Sequence, residues 1–121
     1  MHNLLAVTAA AEVATGLVVV ARPSRFATLL LGSSLDAPAA LTIARVAGVA
    51  LIALGVACWL ARSDGHSRAA RGLVGAMLFY NTGVAIVLAW AGIGLALSGM
   101  ALWPAVAFHA AMTAWCITTL R

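Results

Sequence analysis

Charged side chains are nearly absent from this sequence, and lysine is missing altogether. Only 8% of the 121 residues are charged, and seven arginines stand against three acids, Glu12, Asp36 and Asp64. In soluble domains about a quarter of the residues are charged, and these residues cover the surface that faces water. The composition therefore excludes a soluble globular domain and predicts a membrane protein.

Motifs that carry chemistry are missing as well. Cys58 and Cys116 are isolated thiols, without the spacing of a redox or zinc site. The sequence shows no nucleophile combined with a base and an orienting group, and no glycine-rich loop for a phosphate. Haem ligation by His109 is disfavoured because the chain offers no second buried histidine. We therefore expect no enzymatic activity, no metal and no cofactor.

In place of charge the sequence has four long apolar runs. The cleanest covers residues 39–60, with Arg45 as its single charge. About 20 apolar residues cross the ~30 Å hydrocarbon core of a bilayer at 1.5 Å per residue. We predict spans at about residues 3–21, 39–60, 69–91 and 101–120. The apolar segment 25–31 is too short to cross, so we expect it to lie at the membrane interface.

These elements predict an all-α fold, an integral membrane four-helix bundle that forms a single domain over residues 1–121. We interpret the first run as a permanent span, because Glu12 interrupts what would be the apolar core of a signal peptide. The arginines flank the spans, which favours contact with lipid headgroups over nucleic acid. More arginines lie on the side of the membrane that holds both termini than on the opposite side, which predicts cytoplasmic termini in a bacterial inner membrane. The first side has Arg62, Arg68, Arg71 and Arg121, and the opposite side has Arg22 and Arg25.

Each predicted span contains one strongly polar residue, namely Glu12, Arg45, Asn81 or His109. The helix rise places all four within roughly one helical turn of the same depth, so we expect them to meet inside the bundle. The layer could form a binding site or a proton path. It could equally be a structural lock, in which Glu12 and Arg45 neutralise each other while Asn81 and His109 complete the hydrogen bonds. We expect a buried Glu12–Arg45 ion pair.

The sequence resembles two groups of known proteins, the first over a few residues and the second over most of the chain. Ala11-Glu12-Val13, with the four spans and the length, resembles small multidrug resistance transporters, whose first-span glutamate exchanges protons for cationic drugs. That resemblance implies the same role for Glu12, although Arg45 would occupy the place of the cation. Most of the chain looks more like short bacterial four-span proteins without an assigned activity. The stretches that carry this second likeness are Arg45-x-x-Gly48, Leu54 to Arg62, Tyr80-Asn81 and Leu102 to His109.

A row of small and aromatic residues lies on the side of span three opposite Asn81. Small residues let membrane helices approach closely, so this face suits packing against another helix. We expect an accessory or structural subunit of a larger membrane assembly, bound to a second copy or to another membrane protein. The alternative is a small transporter or ligand-binding protein that uses the polar layer. The row comprises Gly72, Gly75, Ala76, Phe79, Gly83 and Trp90.

Overall fold

The computed structural model describes all 121 residues and contains five α-helices and no strand, which confirms the predicted helical class. Three of the helices, α1, α3 and α4, are long and apolar enough to cross a membrane. The fifth is not among them, because histidine, proline, tryptophans and threonines dilute its apolar residues. The helices are α1 His2–Ala21, α2 Pro23–Leu31, α3 Pro38–Ala61, α4 Arg68–Ile93 and α5 Leu102–Leu120.

Prolines and small polar residues set the ends of these helices. Pro23 and Pro38 occupy the first turns of α2 and α3, where a missing backbone N–H costs nothing. The hydroxyl of Ser67 caps α4 by accepting from the Ala70 N–H at 3.1 Å. Gly32 ends α2 in the left-handed region, with a φ of 73°. The short helix therefore starts two residues earlier than the sequence predicts and ends where expected.

The helices form two tightly packed pairs, α1 with α3 and α4 with α5. Glycines make the first pair possible. A Cβ atom built on Gly16 would lie 2.6 Å from the Gly48 carbonyl oxygen, and one on Gly55 would lie 2.9 Å from the carbonyl oxygen of Ala9. The two backbones are therefore in direct contact, which fixes how each helix is rotated about its own axis.

The two pairs join mainly at one end of the molecule, where α1 and α4 begin and α3 and α5 end. Within each pair a hydrogen bond ties the helix ends together here: His2 Nδ1–H of α1 donates to the Arg62 carbonyl at the end of α3 at 3.1 Å, and Arg71 of α4 donates to the Leu120 carbonyl of α5 at 3.1 Å. The two pairs themselves are joined by packed side chains. A cluster of buried side chains from all four long helices lies just inside this end. Its members are Leu4, Leu5, Ala9, Cys58, Val74, Met77, Met112 and Cys116.

At the opposite end, α2 bridges the pairs. It contacts α1, α3 and α5. The Ala101 N–H donates to the Leu29 carbonyl at 2.9 Å, and this bond ties α2 to the start of α5. Gly99 lies so close to the backbone of Leu29 and Leu30 that no side chain would fit there. The pairs are thus held by direct side-chain contact at one end and by α2 at the other.

Candidate functional site

Glu12 lies near the middle of α1 and is almost completely buried, with 4% of its surface exposed. The Tyr80 hydroxyl, from α4, donates to its Oε2 atom at 3.2 Å. The Oε1 atom has no hydrogen-bond partner in the protein, and no arginine or histidine lies within ion-pair distance of either oxygen. The structure therefore holds a buried carboxyl group that has no protein cation beside it.

Asn81 and His109 are hydrogen-bonded to each other across the α4–α5 contact. Asn81 is 1% exposed, and its Nδ2 atom donates to the Met77 carbonyl at 2.8 Å. Its Oδ1 atom lies 2.7 Å from His109 Nδ1. The His109 ring in turn meets the Tyr80 ring edge-on, with 5.8 Å between centroids. Glu12, Tyr80, His109 and Asn81 thus form one polar group that links the two helix pairs.

Arg45 does not join this group, and the predicted Glu12–Arg45 ion pair is absent from the structure. The arginine is exposed on the outer side of α3. The glycine contact with α1 rotates α3 so that Leu51 faces the interior, and Arg45 lies about 120° from Leu51 around the helix. Depth alone made the pair plausible, but the rotation of α3 separates the two residues.

A cavity of about 320 Å³ lies beside the polar group, in the half of the bundle that α2 closes. Its walls are apolar apart from Glu12, Thr15, Tyr80 and His109. Every helix contributes to it. The side chains that line it are Ala11, Glu12 and Thr15 of α1, Phe26 and Leu30 of α2, Leu51 of α3, Tyr80, Val84 and Leu88 of α4, and Ala105, Phe108 and His109 of α5, with Ala101 just before α5.

Of the four residues in the observed polar group, the sequence analysis predicted Glu12, Asn81 and His109. It did not predict which residues form the walls of the cavity. Tyr80 adjoins Asn81 in the sequence, and only the structure shows its hydroxyl on Glu12. Phe26 and Leu30 belong to the segment that was assigned to the membrane interface. Their apolar spacing along a short helix was the available signal, because i and i+4 residues share a face.

The small-residue row of α4 lies on the outside of the molecule. Cβ atoms built on Gly72, Gly75 or Gly83 would meet nothing within 4 Å. Phe79 is 84% exposed and Trp90 is 64% exposed, and Ala76 is exposed as well. No other part of the single chain covers this face.

No protein-family model, curated protein or solved structure matches the chain. The function is therefore argued from the geometry of the cavity and of the polar group beside it.

Proposed function

We propose that the chain is a four-span membrane bundle in which α5 crosses the bilayer beside α4. Packing supports the fourth span, because α5 lies along a helix that is itself apolar enough to cross. Its 19 residues extend about 28 Å and contain no charged residue. The arginine asymmetry favours cytoplasmic termini in a bacterial inner membrane, with α2 at the opposite face.

Within this bundle, the cavity serves as a binding site for a small ligand with an apolar body and a positively charged head. The single observation that carries this function is the buried Glu12 carboxylate without a protein cation. Removing such a charge from water is expensive unless a proton or a cation balances it. A structural lock would have needed Arg45 in that place, and Arg45 is on the outside.

The other walls of the cavity suit the same ligand. Rings of Phe26, Tyr80 and Phe108 line it, and aromatic faces attract organic cations. A volume of about 320 Å³ falls at the lower end of the range for small-molecule sites. The mostly apolar lining would hold the body of the ligand, while the carboxylate would hold its head.

Fluorescence titration of the purified protein in zwitterionic lipid nanodiscs tests this function. The probe is 9-anthrylmethylammonium, excited by energy transfer from the native tryptophans, with empty nanodiscs as the blank. The wild type should bind it, and Glu12→Gln should weaken binding at least tenfold, because a charged hydrogen bond contributes about 1.5–3 kcal/mol. The affinity for the neutral probe 9-anthracenemethanol should change little in the Glu12→Gln variant.

Asp36→Asn is the matched control, since it removes an exposed carboxylate at the same end of the bundle. It should leave the affinity for the ammonium probe unchanged. Absence of saturable binding to the wild type would refute the proposed function. An equal loss of affinity for the ammonium probe in Asp36→Asn and Glu12→Gln would also refute it, because the effect would then reflect surface charge.

A second candidate function is that of an accessory subunit in a larger membrane assembly. The uncovered glycine row on α4 favours it, because Gly72, Gly75 and Gly83 leave space for the backbone of another helix. The two functions use different faces of α4 and do not exclude each other.

A further inference from the structure

We propose that the cavity selects ammonium ions that carry N–H bonds over quaternary ammonium ions, because His109 offers an unprotonated ring nitrogen as a second acceptor beside Glu12. This inference rests on the proposed binding function and specifies its ligand as a primary or secondary amine with an apolar body.

The hydrogen bonds around Asn81 determine which nitrogen of His109 carries the proton. The Met77 carbonyl can only accept, so the Asn81 atom that faces it at 2.8 Å must be the NH₂ group. The Asn81 oxygen is therefore the atom that lies 2.7 Å from His109 Nδ1. An amide oxygen can only accept, so Nδ1 must carry a hydrogen. In the neutral imidazole this assigns a lone pair to Nε2.

The lone pair of Nε2 is free to meet a ligand. No protein group hydrogen-bonds to this atom, and the Nε2 edge of the ring points away from Asn81. His109 is half-buried and lines the cavity together with Glu12. Glu12 Oε1 is the other acceptor without a partner. The cavity is therefore lined by two residues that each keep one acceptor atom without a protein partner, and no arginine lines it.

This pattern distinguishes two kinds of cation that carry the same charge. A primary ammonium has three N–H bonds, and in the proposed complex it donates to both Glu12 and His109. A trimethylammonium head can be attracted by the carboxylate, but it donates to neither acceptor and removes water from both. A polar group buried without its hydrogen bond is unfavourable, and the difference corresponds to about a tenfold preference for the primary ammonium.

The test compares 9-anthrylmethylammonium with its N-trimethyl analogue, which shares the anthracene body and the charge. The wild type should bind the primary ammonium about tenfold more tightly. His109→Phe keeps an aromatic ring and removes the Nε2 acceptor together with the Nδ1–H bond to Asn81, so the preference should fall to near one through weaker binding of the primary ammonium. His66→Phe is the control, because it makes the same change in an exposed loop residue.

A spectroscopic measurement tests the inference without any substitution at the site. In ¹⁵N-histidine-labelled protein, His109 Nδ1 should appear as a protonated nitrogen and Nε2 as an unprotonated one. The Nε2 signal should shift on addition of the primary ammonium and stay in place with the trimethyl analogue. His2→Gln and His66→Gln variants identify the signals of the other two histidines.

The outcomes separate this inference from the function on which it rests. Equal wild-type affinities for the two probes, with Glu12→Gln weakening both, would overturn the selectivity and leave the binding function standing. An Nε2 atom that carries the proton in the unliganded protein would overturn the selectivity as well. Absence of binding by either probe would overturn both.

Discussion

Replacing Gly48 with alanine should destabilise the protein, because the added methyl group has no space between α1 and α3. A Cβ atom there would lie 2.8 Å from Val20 Cγ2, 2.9 Å from the Gly16 carbonyl oxygen and 3.0 Å from the Val20 backbone nitrogen. Two of these three atoms belong to the backbone of α1 and cannot rotate away. The helices must separate by a few tenths of an ångström, and overpacking of this kind costs about 1–3 kcal/mol.

Gly83→Ala is the matched control, since it makes the same chemical change in the middle of another long helix. A Cβ atom on Gly83 meets nothing within 4 Å, so no contact opposes it. Alanine is favoured over glycine in a helix by about 0.5–1 kcal/mol, so this variant should be neutral or slightly more stable. Gly48→Ala should therefore lower the free energy of unfolding, whereas Gly83→Ala should leave it unchanged or raise it slightly.

Unfolding in mixed micelles with an increasing mole fraction of SDS, followed by circular dichroism, measures both changes. Gly48→Ala should unfold at a lower SDS fraction than the wild type, and Gly83→Ala at the same or a higher fraction. A neutral Gly48→Ala variant would refute direct backbone contact between α1 and α3. Equal destabilisation by both variants would do so too, because it would point to a general effect of alanine in these helices.

Three further predictions concern other parts of the molecule. In a thermal-melt double-mutant cycle, the losses caused by Glu12→Gln and Arg45→Gln should add within about 0.5 kcal/mol, because the two side chains do not meet; a large coupling energy would restore the ion pair. Gly83→Leu should leave insertion intact and reduce the apparent size on size-exclusion chromatography if α4 contacts a partner; an elution identical to that of the wild type would argue against that contact. A cysteine introduced into residues 62–68 should resist an impermeant thiol reagent in intact cells, and labelling would reverse the proposed orientation.

The sequence was sufficient for the number and position of the helices, because length and apolar composition determine both. It was also sufficient for position along the helix axes, which follows from the helix rise, because Glu12, Asn81 and His109 lie at one level of the structure and are connected through Tyr80. Rotation about the helix axis was out of reach. This rotation depends on which helix the glycines of α3 contact. Because they contact α1, α3 is rotated so that Arg45 lies on the outside.

The role of α2 was not visible in the sequence either. Its apolar residues and short length are typical of an interfacial segment, and nothing local distinguishes that role from a wall of a cavity. The difference arises from a bond between distant residues, in which the Ala101 N–H donates to the Leu29 carbonyl. Contacts of this kind appear only once the whole chain has folded.

The hydrogen bond from Tyr80 to Glu12 also has a consequence for how the chain is made. The two residues are 68 positions apart, so in the proposed membrane bundle α1 would enter the bilayer long before α4 has been synthesised. At bacterial and eukaryotic rates of about 5–20 residues per second, that interval is about 3–14 seconds. During this time the carboxylate of Glu12 has no protein donor and must stay near water, lipid headgroups or the insertion machinery. Nascent chains that stop before Tyr80 should therefore hold α1 less firmly in the bilayer than chains that include it.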